Sequence, residues 1–203
     1  GFDSGKVGTN YRSDMAPKVW DLIRTTTSGT AVFTMPSTPI KCGGAPQKIA
    51  YLAADHWRRQ GVLGNMRIVL SIPNPAIFQV PEFATVLDKV AARYGIDVRL
   101  NTEVVEIDPD SREVILLDKL TDSKERISYS MVHATPPQSA PDVLKGGPLS
   151  DPADPLGWVT ADKSTLRHSR FENVWALGDS ANLPTSKTGA AIRKQAPVVV
   201  ENL

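Results

Sequence analysis

The sequence predicts an α/β protein in which a parallel sheet carries an added layer of antiparallel strands. Three observations lead to this prediction. Between residues 30 and 100, β-rich runs alternate with segments of helical periodicity, an order typical of parallel strands joined by helices. The runs 102–107 and 112–117 flank Asp108-Pro109-Asp110-Ser111, a typical turn sequence, and predict a hairpin. The composition, 41% hydrophobic and 22% charged residues, is that of a folded globular protein.

The predicted helices are defined by their ends and by their apolar faces. A first helix is expected over 14–25, with Asp14 as its cap. Pro46 and Pro81 each fit a first helical position, where the missing N–H costs nothing. A last helix is expected to begin near Thr188. In the helix that Pro81 opens, the expected buried stripe consists of Phe83, Val86, Leu87, Val90, Ala91 and Tyr94.

The predicted strands are β-rich runs bounded by turn residues. Residues 30–35, 67–72 and 96–100 are expected to be strands of the parallel sheet. One further strand is expected near 126–135, and another over 172–178, ending at Gly178-Asp179. The Pro- and Gly-rich stretch between them, from Pro136 to Gly157, predicts a boundary or a long crossover.

Composition excludes several classes of protein. The 23 basic and 22 acidic residues give a net charge of +1, and no basic stripe is present, so we expect no nucleic-acid partner. No apolar run approaches the ~20 residues that span a bilayer. A single cysteine and three scattered histidines predict no metal site and no disulfide framework. Because the chain begins Gly-Phe-Asp without a methionine, we expect it to be a piece of a longer protein.

Residues 30–72 have the strand-helix-strand layout of a Rossmann-like dinucleotide-binding unit, but they lack its chemistry. The loop after the first strand contains Pro36 and Pro39 instead of a Gly-x-Gly-x-x-Gly run. The second strand is followed by Pro73-Asn74, with no acidic residue for a ribose hydroxyl. We therefore expect a Rossmann-like fold without a nicotinamide site.

Cys42 lies in a loop just before a predicted helix. The free N–H groups and the dipole of a helix start favour a thiolate, and Lys41 and Lys48 add positive charge nearby. These features suit a nucleophilic thiolate. The alternative is a small buried apolar residue, which is what a lone cysteine most often is.

Three blocks of sequence carry a resemblance to a known family. They are the run 39–48 around Cys42, the segment 133–145, and the segment 173–188, which includes Gly178-Asp179 and Leu183-Pro184-Thr185-Ser186-Lys187-Thr188. In this order they resemble sulfide:quinone oxidoreductases of the mitochondrial-type branch. These are flavoproteins of the pyridine nucleotide-disulfide oxidoreductase superfamily.

The resemblance implies an FAD-dependent enzyme that oxidises sulfide through a cysteine persulfide and passes the electrons to a quinone. Cys42 would be one half of a redox pair, and Lys48 would favour its thiolate; otherwise Lys48 is a solvated surface charge. The resemblance also assigns a cofactor-binding role to Gly178, Asp179, Lys187 and Thr188. Asp179 would accept hydrogen bonds from the flavin's ribityl hydroxyls, unless it serves as a helix cap instead.

The resemblance also suggests a domain organisation. Residues 1–29 would connect from a missing flavin domain, 30–135 would form the second Rossmann-like domain, and 136–203 would cross over and partly return to the flavin domain. The family's glycine-rich flavin motif is missing and the partner cysteine is expected beyond residue 203, so this chain alone is expected to be inactive and FAD could be absent from it.

The surroundings of the longer protein follow from the same resemblance. It would lie peripherally on a respiratory membrane, bacterial cytoplasmic or mitochondrial inner, and would contact that membrane only through segments missing here, whereas this piece is expected to be soluble. A homodimer is possible. The alternatives are a flavocytochrome-type sulfide dehydrogenase, an NADH:quinone reductase, or a non-catalytic Rossmann-like module.

Overall fold

A computed structural model describes residues 1–203, which form two compact units. The first, here called the sheet unit, consists of Gly1–Ser37 and Gly43–Pro136. The second, here called the loop unit, consists of Thr38–Cys42 and Pro137–Leu203. The mixed α/β fold with one parallel and one antiparallel sheet confirms the predicted fold class.

The sheet unit contains all eight strands. They are β1 (Val7–Gly8), β2 (Gly29–Thr34), β3 (Met66–Ile72), β4 (Ile96–Leu100), β5 (Thr102–Asp108), β6 (Glu113–Asp118), β7 (Lys124–Ser128) and β8 (Met131–His133). The five-stranded sheet has the order β1-β8-β2-β3-β4 and all of its strands are parallel. The other three strands form an antiparallel sheet in the order β5-β6-β7.

The centre of the parallel sheet is fully buried. Val32, Val69 and Val132, on three adjacent strands, have no solvent exposure. Continuous apolar runs of this kind are expected where both faces of a parallel sheet are covered. This is why the β-rich runs at 30–35, 67–72 and 96–100 were sufficient to locate β2, β3 and β4.

The helices are α1 (Ala16–Thr25), α2 (Ala45–Arg59) and α3 (Pro81–Tyr94) in the sheet unit, and α4 (Gly189–Asn202) in the loop unit. The expected cap Asp14 is wrong: Met15 holds the cap position, and the Asp14 carboxylate pairs with Arg12 at 2.7 Å. Pro81 is the first residue of α3, as predicted, whereas Pro46 is the second residue of α2, after Ala45.

The predicted buried stripe of α3 is partly wrong. Phe83 and Val86 are 60% and 57% exposed, whereas the buried residues of α3 are Ala84 and Ala91. The helix therefore turns small side chains towards the core, which lets its backbone approach closely, and leaves larger apolar residues in water.

Two strand predictions also need correction. The single strand expected near 126–135 is two strands, because the chain leaves the antiparallel sheet after β7 and enters the parallel sheet at β8. The N–H of Ser130, between them, donates to the carbonyl of Thr30 at 2.7 Å. Residues 172–178 form no strand, since their only ladder contact is an isolated bridge between Arg167 and Trp175.

The loop unit has little regular structure. Besides α4 it contains two short 3-10 helices, Asp142–Leu144 and Gly178–Ser180, and several isolated bridges. Its small apolar core is centred on Val159, Ala176 and Ala181. No helix of the chain is both long enough and apolar enough to cross a membrane.

Candidate functional site

Cys42 is a half-buried free thiol at the end of the first segment of the loop unit. Its backbone has φ 66°, in the left-handed region that residues other than glycine seldom adopt. Its N–H donates to the carbonyl oxygen of Lys187 at 2.7 Å, next to an isolated parallel bridge between Lys41 and Lys187. The cysteine block and the Ser186-Lys187-Thr188 run, far apart in sequence, are therefore hydrogen-bonded neighbours.

Lys187 is a buried lysine with only 8% of its surface exposed. Its ammonium group donates to the carbonyl of Ala181 and lies 3.9 Å from the ring centroid of Trp158. Burial lowers the pKa of Lys187, the carboxylate of Asp179 acts in the opposite direction, and Lys41 lowers the pKa further. The side chain expected to add charge at the cofactor is thus held by contacts inside its own unit.

Trp158 is a residue that sequence reasoning missed. It is 4% exposed, and its ring also has the ammonium group of Lys41 at 5.8 Å from the centroid. The indole nitrogen is buried without a hydrogen-bond partner. Nothing in the local sequence singles out Trp158, because both of its lysines are distant in the chain.

Gln138 also makes a contact at the cysteine segment. Its side-chain oxygen accepts the N–H of Lys41 at 2.6 Å, and its own N–H donates to the hydroxyl of Thr38 at 2.9 Å. The side-chain nitrogen of Gln138 is buried and has no partner. Gln138 therefore fixes the segment 38–42 through two hydrogen bonds.

Gly178 lies where side chains of α4 pack closely against the backbone of the loop unit. It has φ +66°, and an added Cβ would lie 2.9 Å from the side chain of Ile192 on α4. Its N–H donates to the side-chain oxygen of Gln195 at 2.8 Å, and the nitrogen of Gln195 donates to Thr185 at 3.0 Å. The glycine was expected to allow close approach, and within this chain the approaching group is α4.

Asp179 and Thr188 differ in what they contact. Thr188 is the cap of α4, since its hydroxyl accepts the N–H of Ala191 at 3.1 Å. Asp179 is exposed, within the 3-10 helix Gly178–Ser180, and its carboxylate accepts no hydrogen bond within the chain. Asp179 is therefore not a helix cap, because Leu177 precedes its own short helix and Thr188 caps α4. Its carboxylate has no hydrogen bond in the chain and can accept one from a ligand.

Lys48 belongs to the sheet unit, where it is exposed in the first turn of α2. The same unit has a half-open groove of about 380 Å³ between α1 and α2. Its apolar lining includes Trp20, Ile23, Leu52 and Ala53. None of the predicted site residues lines this groove.

Comparison with known proteins agrees with the resemblance found in the sequence. The chain is 40% identical over 198 residues to the mitochondrial sulfide:quinone oxidoreductase of Dictyostelium discoideum, covering 97% of this chain and 43% of that protein. It is 40% identical over 201 residues to the mouse (Mus musculus) protein of the same name, covering 98% and 44%. No family model matches the chain.

Across nearly its whole length the chain is thus similar to mitochondrial sulfide:quinone oxidoreductases. It spans less than half the length of the relatives that it matches. Among solved structures, the sulfide:quinone oxidoreductase of the hyperthermophilic bacterium Aquifex aeolicus superposes with a TM-score of 0.74, at 16% identity, over 91% of this chain and 44% of that one. At that identity the superposition supports the fold alone.

Proposed function

We propose that the chain is part of an FAD-dependent enzyme that oxidises sulfide and delivers the electrons to a quinone. The observation that carries this proposal is the place of the chain's only thiol. Cys42 is half-buried, has a left-handed backbone, and is hydrogen-bonded to Lys187 within the segment 173–188. The two relatives named sulfide:quinone oxidoreductase, each 40% identical across nearly the whole chain, support this reaction.

The chemistry proposed for Cys42 is thiol–disulfide exchange. In the oxidised enzyme Cys42 would share a disulfide with a second cysteine supplied outside this chain. The sulfur of sulfide attacks, one new S–S bond forms as the cysteine disulfide breaks, and one cysteine retains a persulfide while the other leaves as a thiolate. Lys48 is proposed to favour the thiolate by its positive charge.

The residues of the loop unit fit FAD in part. Asp179 has an exposed carboxylate that accepts no hydrogen bond within the chain, so it is the residue we propose to accept hydroxyl hydrogen bonds from the cofactor. Gly178, Lys187 and Thr188 are occupied by contacts to α4, Ala181 and Ala191, so we propose that they shape the site rather than bind through those groups. When bound, FAD would supply the two-electron step between thiols and quinone.

The relatives' names support a mitochondrial origin for the protein. We propose the inner mitochondrial membrane as the surface at which quinone is reduced. Attachment to that membrane and formation of a homodimer stay predictions.

A chimera tests the proposal. The segment of the Dictyostelium relative that aligns with this chain is replaced by residues 1–203, and sulfide-dependent reduction of a short-chain quinone is measured. We expect activity in the chimera and a loss of at least about a hundredfold in Cys42→Ser, because a hydroxyl does not replace a thiolate in exchange chemistry. FAD absorbance should be retained in both proteins.

The same chimera tests Lys48 with a matched control. Lys48→Gln should lower the rate by about tenfold, whereas Lys89→Gln, an exposed lysine on α3, should leave it unchanged. A chimera that binds FAD but reduces quinone with NADH and not with sulfide would support an NADH:quinone reductase instead. A Cys42→Ser variant with full activity would overturn the role of Cys42.

A further inference from the structure

Trp158 brings two positive charges to one aromatic ring. The ammonium groups of Lys187 and Lys41 lie 3.9 and 5.8 Å from the ring centroid. The two ammonium groups repel each other, since the charge of Lys41 is one of the influences that lower the pKa of Lys187. Attraction between each cation and the negative face of the ring offsets that repulsion. We call these three residues the tryptophan–lysine cluster.

The cluster is connected directly to Cys42. Lys41 precedes Cys42 in the chain, and the carbonyl of Lys187 accepts the N–H of Cys42. That hydrogen bond holds a cysteine whose φ of 66° is unfavourable for any residue with a Cβ. The residues that contact Trp158 are therefore also those that fix the backbone at the thiol.

Two buried donors beside the cluster have no acceptor. They are the indole nitrogen of Trp158 and the side-chain nitrogen of Gln138, whose oxygen accepts the N–H of Lys41. Both residues are more than nine-tenths buried, at 4% and 8% exposed. A buried donor without a partner is costly, so its presence in a native fold calls for a ligand with acceptor atoms. Donors and cations together are complementary to an anion.

We infer that Trp158 is a positioning residue that holds Lys41 and Lys187 beside Cys42, so that the thiol preferentially meets anionic reactants. The carboxylates of Asp154 and Asp179 also act on Lys187 and reduce this positive field, though Asp154 is tied to the backbone of Leu156 and Trp158. The assignment of the anion as hydrosulfide rests on the proposed function. The charge selectivity itself does not.

Cys42 is the only cysteine of the chain, so alkylation reports on this site alone. The 203-residue chain is reacted with iodoacetate, an anion, and with iodoacetamide, its neutral analogue. The ratio of the two rates, divided by the same ratio for a cysteine peptide, measures the local preference for negative charge. We expect a ratio above one in the unchanged chain, falling as salt is added.

The variants separate positioning from folding. Trp158→Leu should lower the ratio by about two- to fivefold, the effect of moving one or two charges away from the sulfur in a well-solvated site. Trp158→Phe keeps an aromatic face and should restore the ratio. Lys41→Gln, at a partly exposed residue that leaves the core intact, should lower the ratio by about twofold. The control is Phe171→Leu, which removes the other cation–aromatic contact of the loop unit, with Arg170 at 5.7 Å.

The inference is overturned if the ratio is equal in the unchanged chain and in Lys41→Gln, or if Trp158→Leu keeps the full ratio with an unchanged circular dichroism spectrum. A Trp158→Leu chain that does not fold leaves Lys41→Gln and the salt dependence to decide. The quinone assay of the chimera is independent. Charge selectivity without sulfide oxidation would refute the proposed function and keep the inference. Sulfide oxidation without charge selectivity would refute the inference and keep the proposed function.

Discussion

The sheet unit and the loop unit are stabilised in different ways. In the sheet unit, strands such as β2 and β3 pair over six successive positions and bury valine, isoleucine and phenylalanine side chains. In the loop unit, isolated bridges replace ladders, and buried polar side chains such as Lys187 and Gln195 join distant segments. Each residue of the continuous apolar core therefore has many neighbours, whereas each polar contact of the loop unit joins its two segments alone.

The largest expected effect on stability concerns the sheet unit and its response to acid. His133, on β8, is 1% exposed and stacks on Phe33 at 6.0 Å. Burial lowers the pKa of His133 from 6.5 to about 4. The unfolded chain therefore binds a proton more readily than the folded one between these values, and stability is complete above pH 6.5 and lost as the pH falls. From pH 7 to pH 4 we expect a loss of about 3 kcal/mol from this residue.

Hydrogen exchange at β2 and β3 amides across that pH range measures the effect. His133→Gln keeps a side-chain oxygen for the N–H of Asn10, which now donates to the His133 ring at 3.3 Å, and it should flatten the pH dependence. His56→Gln, at a half-buried histidine of α2 in contact with Trp20, serves as the control and should keep the slope. An unchanged slope in His133→Gln would mean that other groups cause the acid sensitivity.

The next effect concerns the loop unit. Gly178→Ala places a Cβ at φ +66° and 2.9 Å from Ile192, so we expect a loss of about 2 kcal/mol. Gly146→Ala is the matched control, because Gly146 has φ +67° in the same unit and nothing within 4 Å of an added Cβ. It should cost only the backbone term of about 1 kcal/mol. Urea unfolding, monitored by hydrogen exchange of the α4 amides, measures the free energy of unfolding of the two variants. Equal losses of stability would show that the contact with Ile192 contributes no energy.

The same contrast explains what could be predicted from the sequence. Strands β2, β3 and β4 and the starts of α2 and α3 follow from local signals, namely apolar runs and first-turn prolines, and the structure has them. The run 172–178 looks equally strand-like, yet it has no partner strand, and pairing is a property that a single run does not contain. The prediction of a single strand over 126–135 is wrong for a related reason, because that run contributes one strand to each of two sheets.

The candidate site divides in the same way. Cys42, Lys187 and the segment 173–188 were found from motifs, and the structure brings Cys42 and Lys187 together. Trp158, Gln138 and Gln195 were not found, because each acts through a contact with residues distant in the sequence. His168 shows the same limit: its neighbours in the sequence, Arg167 and Ser169, are polar, but His168 is only 3% exposed and its ring forms a hydrogen bond with the carbonyl of Leu149. Only tertiary structure reveals such contacts.

The smallest predicted effect tests whether Thr188 has one role or two. Its hydroxyl caps α4 through the N–H of Ala191, so Thr188→Ala should cost about 1 kcal/mol of loop-unit stability. Thr188→Ser retains the hydroxyl and should be nearly neutral. If capping is the whole role, FAD affinity of the chimera should change no more than stability does. A loss of FAD from Thr188→Ala chains that remain fully folded would instead assign the hydroxyl a direct contact with the cofactor, and would show that a residue of the loop unit both caps its helix and binds a ligand.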